Sequence, residues 1–202
     1  MLGAKEWLAD QHIEADYKLL ERELQRDNPD LAARTRLVWP AQAHLLRLTD
    51  DEIDLLVQGI VTDDHGNDTA DFLFVPVNNG GAGLEDGSHW SLLLVDRREP
   101  EGMVAHHYDS SKKQSNKTCA NQLAERLGAK LKTASMAIQR NGWDCGVFVV
   151  DATRALVGRF AEGRRPEDEL LHLGNLVADR QALRDRLRGI RLCDAELGTR
   201  LC

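Results

Sequence analysis

No stretch of this chain approaches the roughly 20 consecutive apolar residues that a bilayer crossing needs. Its first residues also lack the apolar core of a secretory signal. Cysteine is scarce: Cys119, Cys145, Cys193 and Cys202 stand alone among 202 residues, without the close pairs of a metal site. A reduced, soluble intracellular protein is expected, although Cys193 and Cys202 are near enough in sequence to pair. Positive charge is in the minority, 26 Lys and Arg against 33 Asp and Glu. The resulting net charge of -7 gives nucleic-acid binding no electrostatic help. His106 and His107 are adjacent in a strand-like segment and would point to opposite faces, a poor arrangement for a metal. Neither a metal nor a cofactor is expected, and neither a membrane nor a nucleic acid as partner. Internal repeats and low-complexity linkers are missing too, so one domain with a full core is expected. It should span residues 1–192, with 193–202 as a loosely ordered tail, and its start close to a motif suggests an excised domain.

What is present concentrates around residues 139–150, which read Gln-Arg-Asn-Gly-Trp-Asp-Cys-Gly-Val-Phe-Val-Val. Asn141-Gly142 marks a turn, and the apolar run after Cys145 continues through Ala152, Ala155, Leu156 and Phe160. A buried helix over about 144–159 is predicted, with Cys145 in its first turn. There the positive end of the helix dipole favours thiolate, the nucleophilic form. A lone Cys at such a place is usually a core residue. Two other segments change that balance: His89-Trp90 opens one apolar run and Tyr108-Asp109-Ser110 closes another. A thiol, an imidazole to take its proton and a carboxylate to orient the imidazole are the parts of a nucleophilic triad. Their order along the chain is His89, Asp109, Cys145.

The remaining pattern predicts the frame. Ile13, Tyr17, Leu20 and Leu24 recur at helical spacing, giving a helix over 7–27 that Asn28-Pro29 ends. Residues 31–48 read as a loop and a short helix, and Thr49-Asp50-Asp51-Glu52 as a capping box for a helix starting at Ile53. Strands are predicted over 72–77, 90–96 and 103–109, the first as a continuous apolar run covered on both faces. The Gly- and Asn-rich stretch 78–88 is a loop entering His89. A helix over 118–128 with Gly128 as its cap, a strand over 132–138 leading to Gln139, a charged loop at 162–166 and a helix over 170–187 complete the chain. The fold class is α+β: a central mixed sheet of roughly four or five strands flanked by helices.

These residues together resemble a known family. His89-Trp90, Tyr108-Asp109-Ser110, and Gln139 six residues before Cys145 in Asp144-Cys145-Gly146 are similar to the ubiquitin-like-protein-specific cysteine proteases, the ULP/SENP family. Trp7-Leu8-Ala9-Asp10 resembles the family's Trp-Leu-Asn-Asp motif, with Ala9 in place of Asn. The resemblance runs from about Trp7 to Phe160. It implies a papain-like cysteine protease fold with permuted His-Asp-Cys order. It implies Cys145 as nucleophile, His89 as general base and acid, Asp109 as orienting carboxylate, and Gln139 with the Cys145 backbone N–H as oxyanion donors. It also implies that Trp7 and Trp90 arch over a channel that admits only a Gly-Gly tail, and that Asp10 faces a basic residue of the modifier.

The implied activity is cleavage after the C-terminal Gly-Gly of a ubiquitin-like modifier, by a monomer and without a cofactor. SUMO is the expected modifier, so deSUMOylation is the expected outcome. Deneddylation or deubiquitination by the same machinery is the alternative, the helix over 116–127 resembling the deneddylase branch. A second alternative is an acetyltransferase effector using the same triad, which the negative charge and the Trp motifs disfavour. A non-enzymatic binder of the modifier is a third, disfavoured because all four site residues are present. The excess of Arg over Lys and the frequent Ala and Leu fit a GC-rich bacterial genome. That composition, joined to the resemblance, implies a bacterial effector delivered to the cytoplasm or nucleus of a host cell.

Overall fold

A computed structural model describes residues 2–50, 52–81, 87–99, 102–111, 116–163 and 171–199, with side chains through residue 189. Parts of the 78–88 loop, of the polar stretch after Ser110 and of the 162–166 loop lie outside these residues. Five strands form one mixed sheet: β1 (Thr35–Leu37), β2 (Phe72–Asn78), β3 (Trp90–Asp96), β4 (Val104–Tyr108) and β5 (Lys130–Thr133). Their spatial order follows the chain, β1-β2-β3-β4-β5. The β2–β3 and β3–β4 pairs are antiparallel, and the two outer pairs parallel.

The unbroken apolar runs of β2 and β3 have a simple cause, because helices cover both faces of the sheet. Phe72, Phe74, Leu92 and Leu94 point to one side and pack with α1 (Asp10–Asp27), α6 (Cys145–Ala161) and α7 (Arg180–Thr199). Leu73, Val75, Val77, Leu93 and Val95 point to the other, against α3 (Pro40–Leu48), α4 (Ile53–Val61) and α5 (Lys117–Arg126). Alternation along a strand therefore sorts apolar residues between two cores rather than between core and water. The papain-like α+β architecture expected from the sequence is the one observed, and its central strands carry His89 and Asp109 at their ends.

Several boundaries differ from the predicted ones, each for a local reason. Helix α1 begins at Asp10, not Trp7, because residue 9 is extended and its N–H is capped by His12 Nδ1 at 3.0 Å. Asn28 both ends α1 and opens a six-residue helix α2 (Pro29–Arg34), its side chain accepting from Leu31 N. Strand β1 is too short for a period-2 signal and owes its form to pairing with β2. The capping box at Thr49 is not used: Thr49 closes α3, and α4 follows Glu52 in the left-handed region at φ 58°. Helix α5 ends at Arg126, and Gly128 at φ 69° sits in the reverse turn that follows it. Strand β5 lies earlier than 132–138; the later part is extended and touches Leu173 by a single bridge at Met136. Residues 171–179 form turns around a single bridge at Leu173 rather than a helix, and α7 starts only at Arg180. Helical backbone then continues through Thr199, into the segment that the sequence suggested was loosely ordered.

Candidate active site

The nucleophile loop is organised by Asn141. Its Oδ1 accepts from the backbone N–H groups of Trp143 (3.0 Å) and Asp144 (2.9 Å), and its Nδ2 donates to Asp144 Oδ2 at 2.6 Å. This turn delivers Cys145 as the first residue of α6, fully buried. Its backbone N–H therefore belongs to the first turn, whose donors lack intrahelical partners.

The antiparallel register of β3 and β4 pairs Leu92 with Tyr108, which brings the start of one strand beside the end of the other. His89 and Asp109, one residue outside each strand, meet there with His89 Nε2 at 2.6 Å from Asp109 Oδ1. The remaining ring nitrogen is Nδ1, and the Cys145 side chain lies close enough to the imidazole to favour its charged form. Burial pulls the His89 pKa down, but the bond to Asp109 and the nearness of Cys145 outweigh it and raise the value to about 9. The imidazole is thus held protonated at neutral pH. Burial raises the Asp109 carboxyl, yet the bonds from His89 and from Ser111 N (2.7 Å) leave it below its ordinary value.

Gln139 stands across from this cluster. Its backbone N–H donates to Ser110 O at 2.9 Å. Its Oε1 accepts from Ser110 Oγ at 2.7 Å, and its Nε2 donates to Asn141 O at 2.7 Å. The amide is thereby held with its nitrogen toward the nucleophile turn, with one of its two N–H groups committed.

Leu8 ties the N-terminal motif to the same place. Its carbonyl accepts from Trp90 Nε1 at 2.8 Å, and its side chain covers Gly146. A Cβ at residue 146 would lie 2.7 Å from Leu8 Cβ, which is why Gly follows the Cys. Trp90 is buried by this contact, whereas the neighbouring Trp7 is 42% exposed. Asp10 is exposed as the first residue of α1, set apart from the buried cluster.

Four further residues belong to the site without having been legible as such. Asn79 Oδ1 accepts from His89 N at 3.0 Å and Ser88 N at 2.7 Å. Fully buried Asn116 donates from Nδ2 to His89 O at 3.1 Å and Val77 O at 2.8 Å, while its backbone N–H reaches Asp109 Oδ2 at 3.4 Å. Asn79 and Asn116 sit in polar stretches that read as ordinary loop. His107, buried on β4 with Nε2 2.9 Å from Ser91 Oγ, is pushed down to about 4 by burial and stays neutral. Arg180 Nε donates to Asp144 Oδ1 at 2.7 Å. It gives no sequence signal, since an Arg at a helix start reads as solvated.

The arrangement combines a thiol at a helix N-terminus, a protonated imidazole, a buried carboxylate and an amide donor, a set suited to acyl transfer through a covalent intermediate. Comparison with known proteins agrees with that chemistry. A family model described as "Ulp1 protease family, C-terminal catalytic domain" matches residues 6–171. NEDD8-specific protease 2 of Schizosaccharomyces pombe is 28% identical over 191 residues, covering 90% of this chain and 44% of the relative. Sentrin-specific protease 8 of Homo sapiens is 35% identical over 112 residues, covering 50% of this chain and 49% of the relative. The chain thus spans less than half the length of these curated relatives. The structure of the Xanthomonas campestris effector protein XopD bound to ubiquitin superposes with a TM-score of 0.80 at 28% identity, covering 93% of each chain.

Proposed function

Because the chain belongs to the Ulp1 protease family, we propose that it is a cysteine protease and isopeptidase cutting after the C-terminal Gly-Gly of a ubiquitin-like modifier. The observation that carries this reading is the buried His89 imidazole, bonded to Asp109 at 2.6 Å with the Cys145 side chain close by. Cys145 Sγ attacks the carbonyl carbon of the last glycine, and the negative charge that develops on its oxygen falls to Gln139 Nε2 and the Cys145 N–H. The tetrahedral intermediate collapses as the His89 imidazolium gives its proton to the departing amine, leaving a thioester. Water then attacks the thioester, His89 takes its proton, and the free modifier and the thiol are regenerated. Asp109 holds the imidazole so that Nδ1 faces sulfur throughout.

Leu8, next to Trp7 in the chain, has its carbonyl held by Trp90 and its side chain laid over Gly146. In this reading the indoles of Trp7 and Trp90 narrow the channel to a tail without side chains, and the exposed Asp10 meets a basic group of the modifier. SUMO is the proposed substrate. NEDD8 is the second reading, favoured by the name of the S. pombe relative, and ubiquitin the third, favoured by the ligand of the XopD structure. The likeness to that effector also supports a bacterial effector, and the proposed setting is a monomer inside a host cell. Among the described residues, no helix is long and apolar enough to cross a membrane.

The test is a labelling panel. The protein and its Cys145→Ala variant meet SUMO, NEDD8 and ubiquitin, each ending in a thiol-reactive group. The expected result is one Cys145-dependent adduct, with the variant still binding that modifier. No adduct with any of the three would overturn the reading and direct attention to acetyl transfer.

A further inference from the structure

We infer that Arg180 is a positioning residue for both the nucleophile and the oxyanion donor, an inference that rests on the protease reading above. Its guanidinium is largely buried and serves three acceptors from two distant parts of the chain. Nε donates to Asp144 Oδ1 at 2.7 Å, Nη2 to Trp143 O at 3.0 Å and Nη1 to Gly3 O at 3.1 Å. Two of these acceptors are on the residues immediately before Cys145. The third lies on the segment that leads to Trp7.

Beyond Asp144 the contacts form a continuous path. Asp144 Oδ2 accepts from Asn141 Nδ2 at 2.6 Å, and Asn141 O accepts from Gln139 Nε2 at 2.7 Å. Gln139 Oε1 in turn accepts from Ser110 Oγ at 2.7 Å, next to Asp109 in the chain. Every link fixes one side chain or turn that the chemistry uses, and Arg180 stands at its outer end.

That end is itself held. Asp179 caps α7 by accepting from Ala182 N at 2.9 Å, and its own N–H donates to Asp151 Oδ2 at 2.7 Å. About two helical turns after Asp179, Arg186 donates to Asp16 Oδ1 at 2.6 Å and to Asp151 Oδ1 at 3.0 Å. A rigid helix end thus carries the forked cation to the nucleophile loop. The fork is essential, because a lysine ammonium is a single point charge without the planar spread that reaches three acceptors.

The experiment compares wild type with Arg180→Ala, Arg180→Lys, Asp144→Asn and the Arg180→Ala/Asp144→Asn pair. Two readouts are used: steady-state cleavage of modifier fluorogenic amides, and hydrogen exchange by mass spectrometry. For Arg180→Ala, kcat should fall about 10- to 100-fold, as for a misplaced catalytic group, with KM changing less than about threefold. Arg180→Lys should recover only part of the loss. The double variant should be no slower than the slower single one, because both break the same link. Exchange should quicken over 139–145 while β3 and the body of α6 keep their protection. Additive losses, an effect on KM alone, or exchange rising evenly along the chain would overturn the positioning role. If wild type cleaves none of the three modifiers, the protease reading fails, and exchange alone decides this inference: unchanged protection of 139–145 in Arg180→Ala overturns it.

Discussion

Gly146→Ala tests how closely the N-terminal motif is pressed against the nucleophile helix. The added methyl would sit 2.7 Å from Leu8 Cβ, 3.1 Å from its Cδ2 and 3.3 Å from its Cγ. The nearest atom is not the free end of a flexible side chain, and the Leu8 carbonyl is held by Trp90 at 2.8 Å. Backbone must therefore move, either at residue 8 or at the start of α6. Overpacking of this kind costs about 1–3 kcal/mol. Alanine's better helix propensity returns up to about 1 kcal/mol, so the net loss should be about 1–2 kcal/mol. In a chain of this size that lowers Tm by about 2–8 °C, measurable by circular dichroism with urea unfolding as a second probe. Because Cys145 lies next to the displaced bond, kcat/KM should fall by about 100-fold. Second-site changes sharpen the test. Leu8→Ala keeps the 2.7 Å contact and should not relieve the variant, whereas Leu8→Gly removes it and should give a double variant about 1–2 kcal/mol better than additive. A Gly146→Ala protein as stable and as active as wild type would refute the reasoning, as would full relief by Leu8→Ala.

Three other outcomes are expected. The His89 pKa of about 9 lies above its ordinary value near 6.5, so its contribution to stability is complete below about pH 6.5 and lost as pH rises to about 9. kcat/KM should fall along the same alkaline limb, and Asp109→Asn should move that limb downward, which a pH–rate profile measures. Gln139→Ala should lower kcat about 100- to 1000-fold, as for loss of one oxyanion donor, with the fold preserved by circular dichroism. Asp16 is fully buried and accepts from both Arg154 and Arg186, so Asp16→Ala leaves Arg154 to Glu23 and Arg186 to Asp151 and should cost about 1–3 kcal/mol in urea unfolding.

Much of the frame was legible because its signals are local. The apolar runs of β2, β3 and α6, and the helical spacing of α1, each reflect burial that a single segment reports by itself. The misplaced elements owe their form to partners elsewhere. Thr35–Leu37 is a strand only beside β2, and the Leu171–Leu173 region carries apolar residues at helix-like intervals yet is drawn out against Met136. At the site, His89, Asp109 and Cys145 stood out as an imidazole, a carboxylate and a thiol at turns and strand ends, whereas Gln139, which alone reads as a surface residue, was named only through the family motif. Asn79, Asn116 and Arg180 act on backbone groups and on a carboxylate far away in sequence. Nothing in their immediate neighbours marks them, since a long-range hydrogen bond leaves no periodicity.

The ties that surround Cys145 span almost the whole polypeptide: Leu8 is joined to Trp90 across 82 positions, and Gly3 to Arg180 across 177. A ribosome adding about 5–20 residues per second releases the N-terminal part well before α7. At that pace Arg180 follows Cys145 by about 2–7 s, an interval in which the nucleophile turn lacks the brace on Trp143 and Asp144.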